Sequence, residues 1–157
     1  MPLPADISHA DLTLSYKFKS IEIRDERTSI DSSDLITPKV SFTKKLIKVS
    51  PPLTNVHKDS LGFVLKKQLS NGQTEVNVTV HLLDSFKEFS TLPMEDKEKA
   101  KCLVKLKIDL EQDGNLKTCS ATAEYFVTGK DVNDKGFEQL YIRTLKNSVQ
   151  TCLNEFK

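Results

Sequence analysis

The sequence predicts an α+β fold: an antiparallel β-sheet of about four to six strands with a long C-terminal amphipathic helix packed on one face. Three observations predict it. Residues 101–129, KCLVKLKIDLEQDGNLKTCSATAEYFVTG, alternate apolar and polar side chains on both sides of an Asp-Gly pair. Residues 74–83, TEVNVTVHLL, alternate in the same way. Residues 136–157, GFEQLYIRTLKNSVQTCLNEFK, repeat their apolar positions at helical spacing instead.

The 101–129 segment reads as a hairpin. Cys102, Val104, Leu106, Ile108 and Leu110 share one face, and Lys105, Lys107, Asp109 and Glu111 share the other. Asp113 and Gly114 supply the turn, because glycine accepts the positive φ that tight hairpins require. The return strand, 116–128, puts Cys119, Ala121, Ala123, Tyr125 and Val127 on one side. Ser120, Thr122, Glu124, Phe126 and Thr128 lie on the other. The small Ala121 and Ala123 leave room for a helix to lie across the sheet.

Residues 61–83, LGFVLKKQLSNGQTEVNVTVHLL, read as a second hairpin turning at Asn71 and Gly72, although the arm 63–69 alternates less cleanly. The first strand lies in 12–30, LTLSYKFKSIEIRDERTSI. Leu12, Leu14, Tyr16 and Phe18 share one phase, Ile21 and Ile23 the other, so a bulge is expected near Lys19 and Ser20. Residues 36–58 read as a short strand and then a loop, and 84–101 as a strand end followed by a charged connector with one helical turn after Pro93. The C-terminal helix carries Tyr141, Ile142, Leu145, Val149, Cys152, Leu153 and Phe156 on one stripe. Arg143, Lys146, Asn147, Gln150 and Asn154 lie opposite, Leu140 falls off the stripe, and Asp134 and Gly136 stand where a cap belongs.

The chain is 157 residues, which fits a single domain over 1–157 with a flexible N-terminus at 1–11. A formal charge of +1 argues against a nucleic-acid-binding protein. No apolar run is long enough to insert in a membrane, and MPLPADISHADL has no secretory pattern, so a cytoplasmic setting is expected. In that setting Cys102, Cys119 and Cys152 read as reduced, buried thiols, and no CxxC pair suggests zinc. His9, His57 and His81 have no metal-ligand spacing and read as surface histidines. There is no GxSxG, the five glycines form no phosphate loop, and DVNDKG lacks the glutamate of a calcium loop at the right spacing. No catalytic residue, metal or cofactor is therefore expected, and binding is favoured over catalysis.

One helix covers one face of a sheet, yet apolar residues occur on both faces. Tyr16, Phe18, Leu103 and Phe126 are the candidate residues for binding a client or partner chain. Either a partner covers them, a client polypeptide or a second subunit in a dimer or tetramer, or residues 36–58 do so within the chain. Lys44, Lys45 and Lys48 form a basic patch that could touch phosphate or an acidic partner or simply be solvated. A small-molecule-binding barrel would need a lined pocket that the sequence does not reveal.

The order of elements is similar to that of the SecB-like chaperone family. The resemblance lies in YKFKSIEI, TEVNVTVHL and CLVKLKIDLEQDGNLKTCSATAEYFVTG, followed by the helix FEQLYIRTLKNSV, over residues 12–30 and 74–157. It implies a protein that holds non-native polypeptides along apolar grooves and assembles as a dimer of dimers. The chain is near neutral, whereas the export chaperones are acidic, and it lacks their proline turn and second helix after the first. The alternative is a dedicated antitoxin or immunity-type inhibitor that binds one protein toxin.

Overall fold

The computed structural model describes residues 3–4, 15–38, 45–92 and 97–157. The strands are β1 (Leu3–Pro4), β2 (Tyr16–Asp25), β3 (Lys45–Val49), β4 (Thr74–Leu92), β5 (Lys97–Gln112) and β6 (Asn115–Thr128). The helices are α1 (Asn55–Gln68) and α2 (Asp134–Leu153). The fold is α+β, as expected, with one six-stranded sheet ordered β1-β6-β5-β4-β2 and β3 also paired to β4. The long ladders β4–β5 and β5–β6 are antiparallel, but β1 joins β6 and β2 joins β4 in parallel, so the sheet is mixed.

The β5–β6 hairpin forms in the expected register. Gln112 faces Asn115 across the turn, where Asp113 has φ 49° and Gly114 φ 82°. Leu106 faces Ala121 and Val104 faces Ala123, and all four are buried beneath α2. The expected bulge in β2 is also present, between Phe18 and Ser20. Its consequence differs from expectation. Phe18 stands beside Val76, and Ile21 and Ile23 beside Val78 and Val80, so all three pack toward the core on one face. The residue inserted at the bulge cancels the change of phase seen in the sequence.

The arm 61–69 is helix, not strand. Leu61, Val64, Leu65, Gln68 and Leu69 are buried at helical spacing. Thr54 caps the helix in a capping box with His57. Asn71 and Gly72 therefore join a helix to a strand. Gly72 is needed for close approach, since a Cβ there would lie 2.3 Å from the Tyr16 backbone nitrogen. Within 36–58, the strand is β3 and the remainder leads into α1. The connector expected over 84–101 is mostly strand. β4 continues to Leu92 and β5 starts at Lys97, with Glu88, Lys99 and Lys101 on the open side of a long ladder and Lys87 buried on the other. The turn expected after Pro93, at 93–96, falls outside the described residues, as does the N-terminus at 1–11 apart from β1.

Helix α2 is capped by the Asn133 side chain, which accepts from the Gly136 N–H at 2.8 Å. It is buried on more than the expected stripe. Leu140, Asn147 and Gln150 are interior because α1 packs against the flank of α2 that the sequence left to solvent. The cysteines are the clearest correction. Cys119 on β6 and Cys152 in the last turn of α2 form a disulfide, with Cα atoms 5.4 Å apart, and only Cys102 is a free buried thiol. A sequence separation of 33 gives no hint that strand and helix end lie side by side.

Two outcomes follow from this core. Leu145 is fully buried, and Leu145→Ala should cost about 2–5 kcal/mol in urea melts. The disulfide closes a loop spanning α2, so its reduction should cost about 2–4 kcal/mol and lower the melting temperature, read by calorimetry with and without reductant.

Candidate functional site

Strand β4 changes both neighbour and phase along its length. It pairs with β2 as far as Leu82 and with β3 from Lys87 onward. Across to β5, Leu82 faces Leu106 and Asp84 faces Lys105, so Leu83 is an inserted residue. Before it, Val76, Val78, Val80 and Leu82 face the helices; after it, Ser85, Lys87, Phe89 and Thr91 do. The bulge thus drives a serine and a lysine into the core.

They meet Tyr141 of α2. Ser85 Oγ lies 2.6 Å from Tyr141 Oη. Arg27 Nη1 donates to Ser85 Oγ at 3.1 Å, and its Nε and Nη2 grip the Asp25 carboxylate at 2.8 and 2.6 Å. Lys87 Nζ donates to Asp34 at 2.8 Å and to Glu138 at 3.5 Å, and lies 5.2 Å from the Tyr141 ring centre. His57, expected on the surface, is 1% exposed. Its Nδ1 accepts from the Thr54 N–H, so Nε2 carries the proton and donates to Glu138 at 2.5 Å. His57 also stands edge-on to Tyr141, with ring centres 4.9 Å apart.

These residue types could do chemistry, but each is committed. Burial pushes the Tyr141 hydroxyl up to about 12, against the opposing pull of Ser85 and Arg27, so the phenol keeps its proton. Burial raises the Asp25 carboxyl, but hydrogen bonds and charge from Arg27 outweigh it and hold Asp25 below the ordinary carboxylate range. Burial pushes the Cys102 thiol up, so it is inert. The cluster pins β4, α1, α2 and the 26–38 segment to one another. The sequence signal for it was the adjacent Leu82 and Leu83, where the alternation of β4 slips.

The four candidate binding residues do not converge. Tyr16 and Phe18 pack on the helix face, and Leu103 and Phe126 lie half-buried on the opposite face. There Leu103 is directly across from Glu124, and Phe126 from Lys101. Lys101 bridges Glu88 and Glu124, both at 3.1 Å. Lys99 Nζ sits 4.7 Å over Phe126, and Lys48 Nζ 4.1 Å over Phe86. Lys48 of the basic patch is therefore placed over an aromatic ring, while Lys44 falls outside the described residues. Of 36–58, β3 extends the sheet and α1 lies on the helix face, so neither covers Leu103 and Phe126. His81, also expected on the surface, lies on this face but is buried, held between Glu26 and Asp109.

Phe18 lines a different surface. A groove of about 650 Å³ runs between β2 and α1. Phe18, Ile21, Ile23, Gly62 and Phe63 line it, and Lys19, Lys58, Asp59 and Lys66 surround it. Phe63 is 61% exposed, unusual for a phenylalanine in a helix that has a core to enter.

Among the described residues, Cys119, Cys152 and Glu155 are the one trio of potential ligands close enough to share a metal, and the disulfide consumes both thiolates. No helix of the described residues is long and apolar enough to cross a membrane. Comparison with protein-family models, with curated proteins and with solved structures gives no match.

The Asp25 and Arg27 pair has a pH signature. A carboxyl with a lowered folded pKa contributes stability that is complete above its unfolded value of about 3.9 and is lost as pH falls through the folded value. Asp25→Asn should cost about 1.5–3 kcal/mol at pH 7, the worth of hydrogen bonds to a charged group. Its stability should also fall less steeply than that of the parent below about pH 4, measured by urea melts across pH.

Proposed function

We propose that this protein binds polypeptide, holding an extended segment of a partner or non-native chain, as the SecB-like resemblance implies. The observation that carries the reading is the apolar groove between α1 and β2, where Phe63 stands exposed beside a strand that ends the sheet. Among the described residues no strand pairs with the far edge of β2, and such an edge accepts an added strand. Binding is favoured over catalysis because the groups around Tyr141 are each held by a partner, the Ser85 hydroxyl by Tyr141, the His57 imidazole by Glu138 and the Lys87 amine by Asp34 and Glu138.

Self-association belongs to the same reading, with the face of Leu103 and Phe126 as the subunit contact. The disulfide favours an oxidising compartment over the cytoplasm, the setting in which all three thiols read as reduced. The dedicated inhibitor is favoured by a separate observation. Glu88, Lys101 and Glu124 form a preorganised charge lattice on the open sheet face, suited to one partner of fixed shape.

Phe63→Asp decides between them. The side chain is exposed, so the far-UV spectrum should be unchanged. The wild type should suppress aggregation of an unfolded reporter, and the variant should not, because a charge would sit where apolar side chains dock. A wild type that suppresses nothing would remove the chaperone reading and leave the single-partner inhibitor.

A further inference from the structure

We propose that the groove between β2 and α1 takes an acidic extended segment, in which two carboxylates flank an apolar side chain on one side of the strand. The proposal rests on the polypeptide-binding reading above and names the class of chain bound. Three observations carry it.

The first is the sheet edge. Among the described residues β2 is the last strand on its side of the sheet, and beyond Phe18, whose N–H is taken by the Leu69 carbonyl, its outer edge has no strand paired to it and can receive a peptide as a further strand. The second is the shape and polarity of the groove. The β2 bulge puts Phe18, Ile21 and Ile23 on the same side, facing Phe63 of α1. Gly62 beside Phe63 leaves the wall open, and a Cβ there would meet nothing within 4 Å. A strand added to β2 would turn every second side chain into this space.

The third is charge. Lys19, Lys58 and Lys66 surround the groove against a single carboxylate, Asp59. Lys58 and Lys66 are eight positions apart in α1, about 12 Å at the helical rise. A strand covers that distance in about four residues at roughly 3.3 Å each. Carboxylates at positions i and i+4 of the bound segment would each reach a lysine, with the apolar residue at i+2 seated between Phe63 and the β2 side chains. Such matching speeds encounter and sets register more than it adds affinity, so binding should weaken with salt.

The test uses two short fluorescein-labelled threonine-rich peptides followed by anisotropy. One carries aspartate, isoleucine and aspartate at alternate positions; the other has lysine in place of each aspartate. The acidic peptide should bind the full chain and the basic one should not. Lys58→Glu with Lys66→Glu should weaken binding by about tenfold or more. Gly62→Leu should abolish it by filling the groove while the melting temperature holds or rises, since leucine suits a helix interior better than glycine. Equal binding of both peptides, or binding that survives Gly62→Leu, would overturn the proposal. Anionic phosphatidylglycerol vesicles bound in place of the peptide and released by Gly62→Leu would overturn it too, marking a lipid site. If neither peptide binds but the unfolded reporter is still held through Phe63, the acidic pattern is wrong and the polypeptide-binding reading stands. If the reporter is not held either, both fall.

Discussion

Leu83 occupies β4 without a partner in β5, and the phase of the strand reverses across it. Upstream, valines and a leucine face the helices; downstream, Ser85 and Lys87 take their place. A buried lysine and a buried serine are tolerable only if their polar atoms are satisfied. That requirement brings Arg27 to Ser85, Asp34 and Glu138 to Lys87, and His57 to Glu138. Tyr141 becomes the hub where these contacts meet, and the start of α1, the start of α2 and the loop after β2 are located by it. The position of α1, and so of the groove beside it, depends on this one inserted residue.

The helical layer is closed at its other end by different chemistry. Cys152 in the last turn of α2 is bonded to Cys119 on β6, and Glu155 accepts from the Ser120 N–H at 2.9 Å. At the far side of the layer, the Leu69 carbonyl accepts from the Phe18 N–H at 2.8 Å and ties the end of α1 to β2. Helix α1 is therefore anchored at its first turn through His57 and at its end through Leu69. Between these anchors its outer face is free to line a groove. A rigid wall opposite a terminal strand is the kind of surface that selects an extended chain without having to reorganise.

The two faces of the sheet differ in character. The open face is a lattice of lysines laid over Phe86 and Phe126 and paired with Glu88 and Glu124. Lysine stems cover apolar surface while their charges stay in water, so a partner on that face meets ionic groups as well as apolar ones. The groove on the other side has Lys19, Lys58 and Lys66 at the rim, Phe18 half-buried, and Phe63 61% exposed with Lys146 Nζ 5.4 Å from the Phe63 ring centre. Its contents are the more available for docking, although the sequence places the binding residues on both faces.

By itself the sequence determined the β5–β6 hairpin, its turn, its buried face, the β2 bulge and the existence of α2. These rest on local periodicity and turn chemistry, which neighbouring residues carry without help. Tertiary structure decided the rest, because each remaining feature depends on residues distant in the chain. Helix α1 hid behind an Asn-Gly pair that resembles a hairpin turn, and only packing on α2 shows why Leu61, Val64 and Leu65 are apolar. The disulfide required two cysteines separated by 33 positions to meet. Phe18, Ile21 and Ile23 read as two faces in a uniform strand and became one face because the bulge restored their phase. The groove exists only where that face meets α1, so its lining residues come from segments with no local sign of each other.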